Sequence, residues 1–341
     1  MENLKYDLET EKVIKEIEKR NAINIVFQSP EGLKIYVEKE LEKINNYFNN
    51  INKSKNLIMW GSPCYGACDL CDNELKNSNI DLIIHYGHEE LPYAISDIPT
   101  IFIHCYYNYN IKKQNKIISI IDDYLNNNKD NKDNKDNKDN KDDKYNNVTI
   151  TTTIQFKKLL EKYNPHIILG CRANIKKQTN SILYVGTGRF HPLMLSYKFK
   201  KEVVIFNPET EEFSKITNEE VNKFIKKRIG AISKLLINPP KKVGVIISTK
   251  KGQYRINTYN KIIKILKENN IKHTSIITNV ISPNDLYYNL DCYIICACPR
   301  IVLDDYINYN KTLLTPKEFE MFIKKDFEYV FDEILFEDFD Y

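Results

Sequence analysis

LIMWGSPCYGAC (residues 57–68), HIILGC (166–171) and DCYIICAC (291–298) are three apolar, strand-like runs, and each ends on a cysteine. The end cysteines, Cys68, Cys171 and Cys298, lie too far apart in the chain for a local zinc finger or ribbon. In open α/β sheets, ligands gather outside the carboxyl ends of the strands. Three thiols delivered to such ends, one from each third of the chain, are expected to meet at a shared centre. Three thiolates on a four-iron cluster leave one iron open to a substrate.

Outward from these runs, strand and helix signals alternate. Helical periodicity in LETEKVIKEIEKRN (8–21) leads into the strand INIVFQ (23–28), the helix EGLKIYVEKELEKINNYF (31–48) and the strand NLIMW (56–60). The strands IDLIIHYG (80–87) and TIFIHCYY (100–107) follow, then the amphipathic helix KIISIIDDYL (116–125). A second unit starts at VTITTTIQFKKLLEKY (148–163) and runs through SILYVGTGRF (181–190) and EVVIFNP (202–208). A third holds VGVIIST (243–249), the helix YNKIIKILKEN (259–269), KHTSIIT (272–278) and the last cysteine run. Such alternation predicts parallel sheets covered by helices. The simplest arrangement is three related Rossmann-like α/β domains around a pseudo-threefold centre, at residues 1–125, 148–225 and 226–341. Between the first two lies 126–147, a Lys-Asp-Asn repeat whose only apolar residue is Tyr145. It has nothing to bury against its chain entropy, so it is expected to be a disordered insertion.

The 341 residues exceed what one core usually holds, in keeping with several domains. Fifty basic against 46 acidic residues give a net charge of +4, too small an excess to point to nucleic acid as a partner. The opening MENLKYDLETEK is charged and reads as no signal peptide, and no run reaches the length that spans a bilayer. A cytoplasmic protein without a membrane partner is expected. In that setting its 8 cysteines are thiols or metal ligands before they are disulfides. Cys105 and Cys292 lie in apolar strands and read as core residues.

Cys64, Cys68 and Cys71 are spaced C-x3-C-x2-C, by which most radical S-adenosylmethionine (SAM) enzymes hold a [4Fe-4S] cluster from one loop. Against a conventional enzyme of that kind, a strand and two helices precede the motif, and the distant cysteines would have no role. Zinc is a third option, but a fourth ligand at finger spacing is missing, and His85 and His88 could serve only through the fold.

YGACD (65–69), IHYGHEELPY (84–93), LGCR (169–172), VGTGRFHP (185–192) and ACPRI (297–301) occur in an order that resembles the archaeal diphthamide synthase family. QSPEGL (28–33) and LLTPKEFE (313–320) fit as well, so the resemblance covers nearly all of the chain apart from the Lys-Asp-Asn insertion. It implies an unconventional radical SAM enzyme, a homodimer of three-domain chains served by an external electron donor. Cys68, Cys171 and Cys298 are then the [4Fe-4S] ligands, while Cys64, Cys71 and Cys296 stand outside the ligand set. The reaction implied is transfer of the 3-amino-3-carboxypropyl group of SAM to a histidine C2 carbon of translation elongation factor 2. A non-catalytic scaffold or electron-relay subunit is the reading from another class, and the presence of all three distributed cysteines argues for a catalytic chain.

Candidate SAM contacts follow the strand ends. Gly186-Thr187-Gly188 lets backbone approach a ligand closely, and Arg189 and His191 come next, Arg being a natural carboxylate clamp. The bland alternative is a surface ion pair and a packed histidine. Gln253 and Arg255 sit at the corresponding strand end of the third unit.

Overall fold

The computed structural model describes residues 5–128, 148–173, 175, 181–286 and 289–340. The described chain forms two compact units, one of Met1–Tyr107, Lys241–Pro316 and Ile334–Tyr341, the other of Asn108–Pro240 and Lys317–Glu333.

The first unit opens with β1 (Tyr6–Asp7), α1 (Thr10–Lys19), β2 (Asn24–Gln28), α2 (Lys34–Asn50), β3 (Asn56–Met59), β4 (Leu82–Tyr86), β5 (Thr100–Ile103) and β6 (Tyr106–Tyr107). β2 to β5 make an all-parallel sheet in the order β3-β2-β4-β5, and β1 pairs antiparallel with β6. Every residue of β4 is buried, as a strand inside a parallel sheet requires. Val13 and Ile17 of α1, with Val37, Ile44 and Phe48 of α2, pack in one core with Ile25, Phe27, Leu82 and Ile84. Each such side chain stabilises the fold by about 1.5–3 kcal/mol. The expected strand 100–107 is broken at Cys105, whose φ of 54° ends the extended backbone.

The second unit contains α3 (Ile111–Asn127), β7 (Val148–Thr152), β8 (His166–Ile167), β9 (Ser181–Val185), α4 (Phe190–Phe199), β10 (Val203–Asn207), β11 (Glu212–Ile216) and α5 (Asn218–Ile237). Its sheet runs β11-β10-β9-β7-β8, parallel except for the β10–β11 hairpin. A capping box of Thr217 and Glu220 starts α5. Deeper along α5, the Arg228 guanidinium meets the Glu318 carboxylate at 2.7 and 2.6 Å with both side chains buried.

The chain then returns to the first unit through β12 (Lys242–Ser248), α6 (Ile256–Glu268), β13 (Lys272–Thr278), β14 (Cys292–Cys296), α7 (Arg300–Leu303) and β15 (Thr312–Leu314), before α8 (Pro316–Lys324). This sheet is all parallel, in the order β13-β12-β14-β15.

Numbered from its own first strand, each of the three larger sheets begins in the order second, first, third, fourth, and the sheet of the second unit adds β11 as a fifth strand. The two sheets of the first unit repeat a finer detail as well. Asp81, just before β4, accepts from the Ile23 and Asn24 amides at 2.8 Å each and donates its own amide to Asn24 O. Asp291, just before β14, accepts from the Lys241 and Lys242 amides at 2.7 and 2.9 Å and donates to Lys242 O. The same acid thus braces the same corner twice.

The domain limits differ from those expected. The limit at 125/126 falls near the end of α3, which belongs wholly to the second unit: Tyr163 donates to Asp122 and Ile118 O, and Tyr124 stacks on Phe213. The limit at 225/226 falls inside α5, a single helix. Of the expected insertion, residues 129–147 lie outside the described residues, while Asn126 and Asn127 close α3.

Candidate metal centre

Cys68 lies in the turn-rich loop after β3, at the carboxyl end of the first sheet. The loop after β12, residues 249–255, is pressed against it. Gly252 donates its amide to Cys68 O at 3.2 Å, and a side chain there would collide with Cys68 Cα and Cβ, so only glycine fits. Gln253 Nε2 donates to Cys68 Sγ at 3.4 Å. Two ion pairs stitch the loops together, Lys250 with Asp69 at 2.8 Å and Lys251 with Asp72 at 2.7 Å.

Cys298 follows β14 and precedes α7. Burial pushes its thiol up to about 12. The nearby Cys68 sulfur adds to the rise, while the Arg300 amide and the charges of Arg300 and Arg255 oppose it. Cys68 is likewise raised, first by desolvation, with the Gln253 amide pulling the other way. Two close thiols that resist ionisation, among N–H donors and guanidinium groups, are a donor set that a bound cation relieves, because metal binding takes thiolates and releases their protons. On this chemistry Cys68 and Cys298 fit as iron–sulfur ligands.

Arg255 is held by Asp338, at 3.1 Å from Nε and 3.3 Å from Nη2, and its Nη1 donates to Ala297 O at 3.4 Å. The guanidinium is almost wholly buried. Asp338 also accepts from Thr258 and from the Leu335 amide. Nothing in the sequence around Asp338 signals this partnership, and the closeness of Gly252 to Cys68 is equally silent.

In the second unit, Cys171 follows β8 in a tight turn closed by the Leu169–Arg172 bridge. A Cβ at Gly170 would meet the ring of the half-exposed Phe190, which would have to swing aside. Gly186 donates its amide to Phe206 O, and Gly188 has φ 74°, which opens an exposed turn with Thr187. Arg189 pairs with Glu220 at 2.5 Å with both side chains about half exposed. His191 stacks on Tyr184 with ring planes 14° apart.

The remaining cysteines differ in character. Cys71 is packed with Val26 and Ile83 in an apolar cluster. Cys105, Cys292 and Cys296 are core residues, as expected for the first two. Cys64 is buried beside His85 and His88; burial, reinforced by Asp69, pushes its thiol up to about 12. His85 is fully buried, its Nδ1 2.9 Å from Gln28 Oε1 and its Nε2 2.9 Å from His88 Nδ1. Desolvation holds His85 well below the ordinary imidazole range and pushes His88 down to about 4.

A family model described as a diphthamide synthesis protein matches residues 29–331. A 2-(3-amino-3-carboxypropyl)histidine synthase of Methanocaldococcus jannaschii is 53% identical over 336 residues, covering 98% of this chain and 95% of the relative. That of Pyrococcus horikoshii is 31% identical over 355 residues, covering 97% and 94%. The crystal structure of Dph2 from Pyrococcus horikoshii with a 4Fe-4S cluster matches with a TM-score of 0.77 at 30% identity, over 96% of this chain and 94% of that one. The fold is that of an α/β enzyme. The chain belongs to the diphthamide synthesis family, among the 2-(3-amino-3-carboxypropyl)histidine synthases.

Proposed function

We propose that this chain transfers the 3-amino-3-carboxypropyl group of SAM to a histidine C2 carbon of translation elongation factor 2, with a [4Fe-4S] cluster held by Cys68, Cys171 and Cys298. The observation that carries the reading is the placement of Cys68 and Cys298 at carboxyl strand ends of two sheets, both thiols raised by desolvation and the Cys68 sulfur close enough to Cys298 to add to its rise. Cys171 after β8 supplies the third thiol, and the 4Fe-4S cluster named for the Pyrococcus horikoshii Dph2 structure supports the cofactor. We read the three sheets as the cores of three related domains, which their common strand order supports.

When bound, the cluster supplies the low-potential electron that splits the SAM sulfonium at the bond to the methionine γ-carbon, leaving 5′-methylthioadenosine. The chain's own part is to hold and orient. Gln253 and Arg300 direct N–H groups at the Cys68 and Cys298 sulfurs. Lys250, Lys251 and Gly252 fix the loop that carries Cys68. Arg255, bound to Asp338, secures the start of α6 rather than reaching outward. The turn Gly186-Thr187-Gly188, buried at Gly186 and exposed at Thr187 and Gly188, is with Arg189 and His191 the proposed SAM-binding element. The Arg189–Glu220 pair is solvent-exposed, and such pairs are worth only about 0–1 kcal/mol, so exchange for a substrate carboxylate is cheap. A homodimer served by an external electron donor completes the proposal.

The test is anaerobic purification of single Cys→Ala variants, with iron content, EPR of the reduced protein and SAM cleavage products. Loss of the cluster in Cys68→Ala, Cys171→Ala and Cys298→Ala, with 5′-methylthioadenosine from the wild type, is the expected result. Cluster loss confined to Cys64→Ala, Cys68→Ala and Cys71→Ala, with 5′-deoxyadenosine as product, would replace this reading by a conventional radical SAM enzyme.

A further inference from the structure

Cys64, His85 and His88 each bring a ligand atom to within 4.8 Å of the others. They come from two places, the loop after β3 and the end of β4, and the fold alone joins them. Cys64 and His85 are buried and His88 is partly so.

The hydrogen bonds around this cluster fix which nitrogen carries which proton. Gln28 donates from Nε2 to Asp69 O at 2.7 Å and accepts the Cys71 amide at Oε1, at 3.3 Å. Its amide orientation is therefore set from two sides. Oε1 also faces His85 Nδ1 at 2.9 Å, so that nitrogen must be the N–H donor. His85 Nε2 is left with its lone pair, directed at His88 Nδ1 2.9 Å away. An imidazole whose far nitrogen is tied to a side-chain oxygen, with the near one bare, is the arrangement that orients metal-bound histidines.

We propose that Cys64, His85 and His88 bind one divalent late first-row cation, zinc by preference, as a site separate from the Cys68 and Cys298 thiols. One thiolate and two imidazoles suit zinc, cobalt or ferrous iron, and disfavour magnesium and calcium, which take oxygen ligands. Tetrahedral zinc bonds of about 2.0–2.3 Å set ligand atoms roughly 3.3–3.7 Å apart, so the two ring nitrogens, now at 2.9 Å, must part by about 0.4 Å while the Cys64 sulfur closes in by up to about 1 Å, within reach of a Cys64 rotation. The cation replaces the proton between the two rings. That proton moves to the other nitrogen of His88, and the Cys64 thiol, now hydrogen-bonded only loosely to Gly66 O at 3.8 Å, releases one proton to solvent. Water takes the fourth position. Because Gln28 also holds Asp69 O and the Cys71 amide, a metal here clamps both flanks of the loop that carries Cys68 to β4.

The test uses the full chain with Cys68, Cys171 and Cys298 replaced by alanine, so that no thiolate signal comes from those positions. Cobalt(II) is titrated anaerobically. One equivalent should bind with a thiolate-to-metal charge-transfer band and tetrahedral d–d bands, and zinc should displace it. Cys64→Ser should abolish the charge-transfer band, Cys71→Ser should leave it, and Gln28→Leu should weaken binding by about ten- to a hundredfold. Retention of the band in Cys64→Ser, its loss in Cys71→Ser, or a purely octahedral spectrum would overturn the proposal. Native mass spectrometry of the otherwise unmodified chain incubated with zinc gives an independent answer if the triple variant is misfolded. One zinc retained, and lost in His88→Gln, supports the site; no retained zinc leaves only a hydrogen-bonded histidine pair and overturns it.

Discussion

Gln253 donates its side-chain amide to the sulfur of Cys68 across 3.4 Å, although the two residues belong to different sheets of the first unit. Hydrogen bonds to a cluster sulfur favour the electron-rich reduced state and raise the reduction potential. In the cluster-loaded protein, Gln253→Leu should therefore shift the midpoint potential to more negative values with iron content unchanged. Redox titration followed by EPR measures this. An unchanged or more positive midpoint would assign Gln253 to some other task.

Gly252→Ala addresses the neighbouring contact. The added methyl has no space against Cys68 Cα and Cβ, so the loops must part. A loss of about 1–3 kcal/mol is expected from overpacking, together with lower iron retention. Chemical denaturation and iron analysis on the same preparation check both. Full stability with full iron would show that the loops yield more easily than their hydrogen bond suggests.

Arg228 and Glu318 make the strongest isolated test of the second unit. Removing one partner of a buried, doubly hydrogen-bonded pair strands the other charge, at a cost of about 3–5 kcal/mol. Arg228→Met should show a drop of that size in urea unfolding, and adding Glu318→Leu should recover much of it. A single-variant loss below about 1 kcal/mol would mean that Glu318 finds a substitute partner or a proton.

Asp81 and Asp291 carry a pH signature. Two backbone N–H groups hold each carboxylate below its ordinary pKa, the Asn24 amide leading at Asp81 and the Lys242 amide at Asp291. A depressed folded pKa contributes stability that is present above the unfolded value, near about 3.9, and is lost as pH falls through the folded value. The double variant Asp81→Asn, Asp291→Asn should thus be less stable than wild type at pH 7. The gap should close as pH drops below about 4. A gap independent of pH would locate the effect in packing.

The parallel α/β character was legible because the apolar runs are short, regularly punctuated and separated by helices with a clear apolar face. What a run cannot state is its place in the sheet. Cys68 and Cys171 follow the second strand of their sheets, β3 and β8, whereas Cys298 follows the third, β14. The three cysteine-tipped runs look alike in sequence and are not equivalent in topology. Helix periodicity is similarly mute about which sheet a helix covers, so limits drawn at 125/126 and 225/226 cut across α3 and α5. The pairing of Arg255 with Asp338 was not legible, because Asp338 lies 83 residues further on in an unrelated stretch. His85 and His88 suggested a metal only through the fold, and the fold does bring Cys64 to them.

The chain leaves the first unit at Tyr107, builds the second, and comes back at Lys241. Synthesis on the ribosome runs in that order, and domains generally fold as they emerge. A nascent chain that has reached Pro240 already contains Cys68 but has neither Gln253 nor Cys298, and the second sheet of its unit does not yet exist. The interrupted chain path therefore completes the Cys68, Gln253 and Cys298 group only when translation is nearly over.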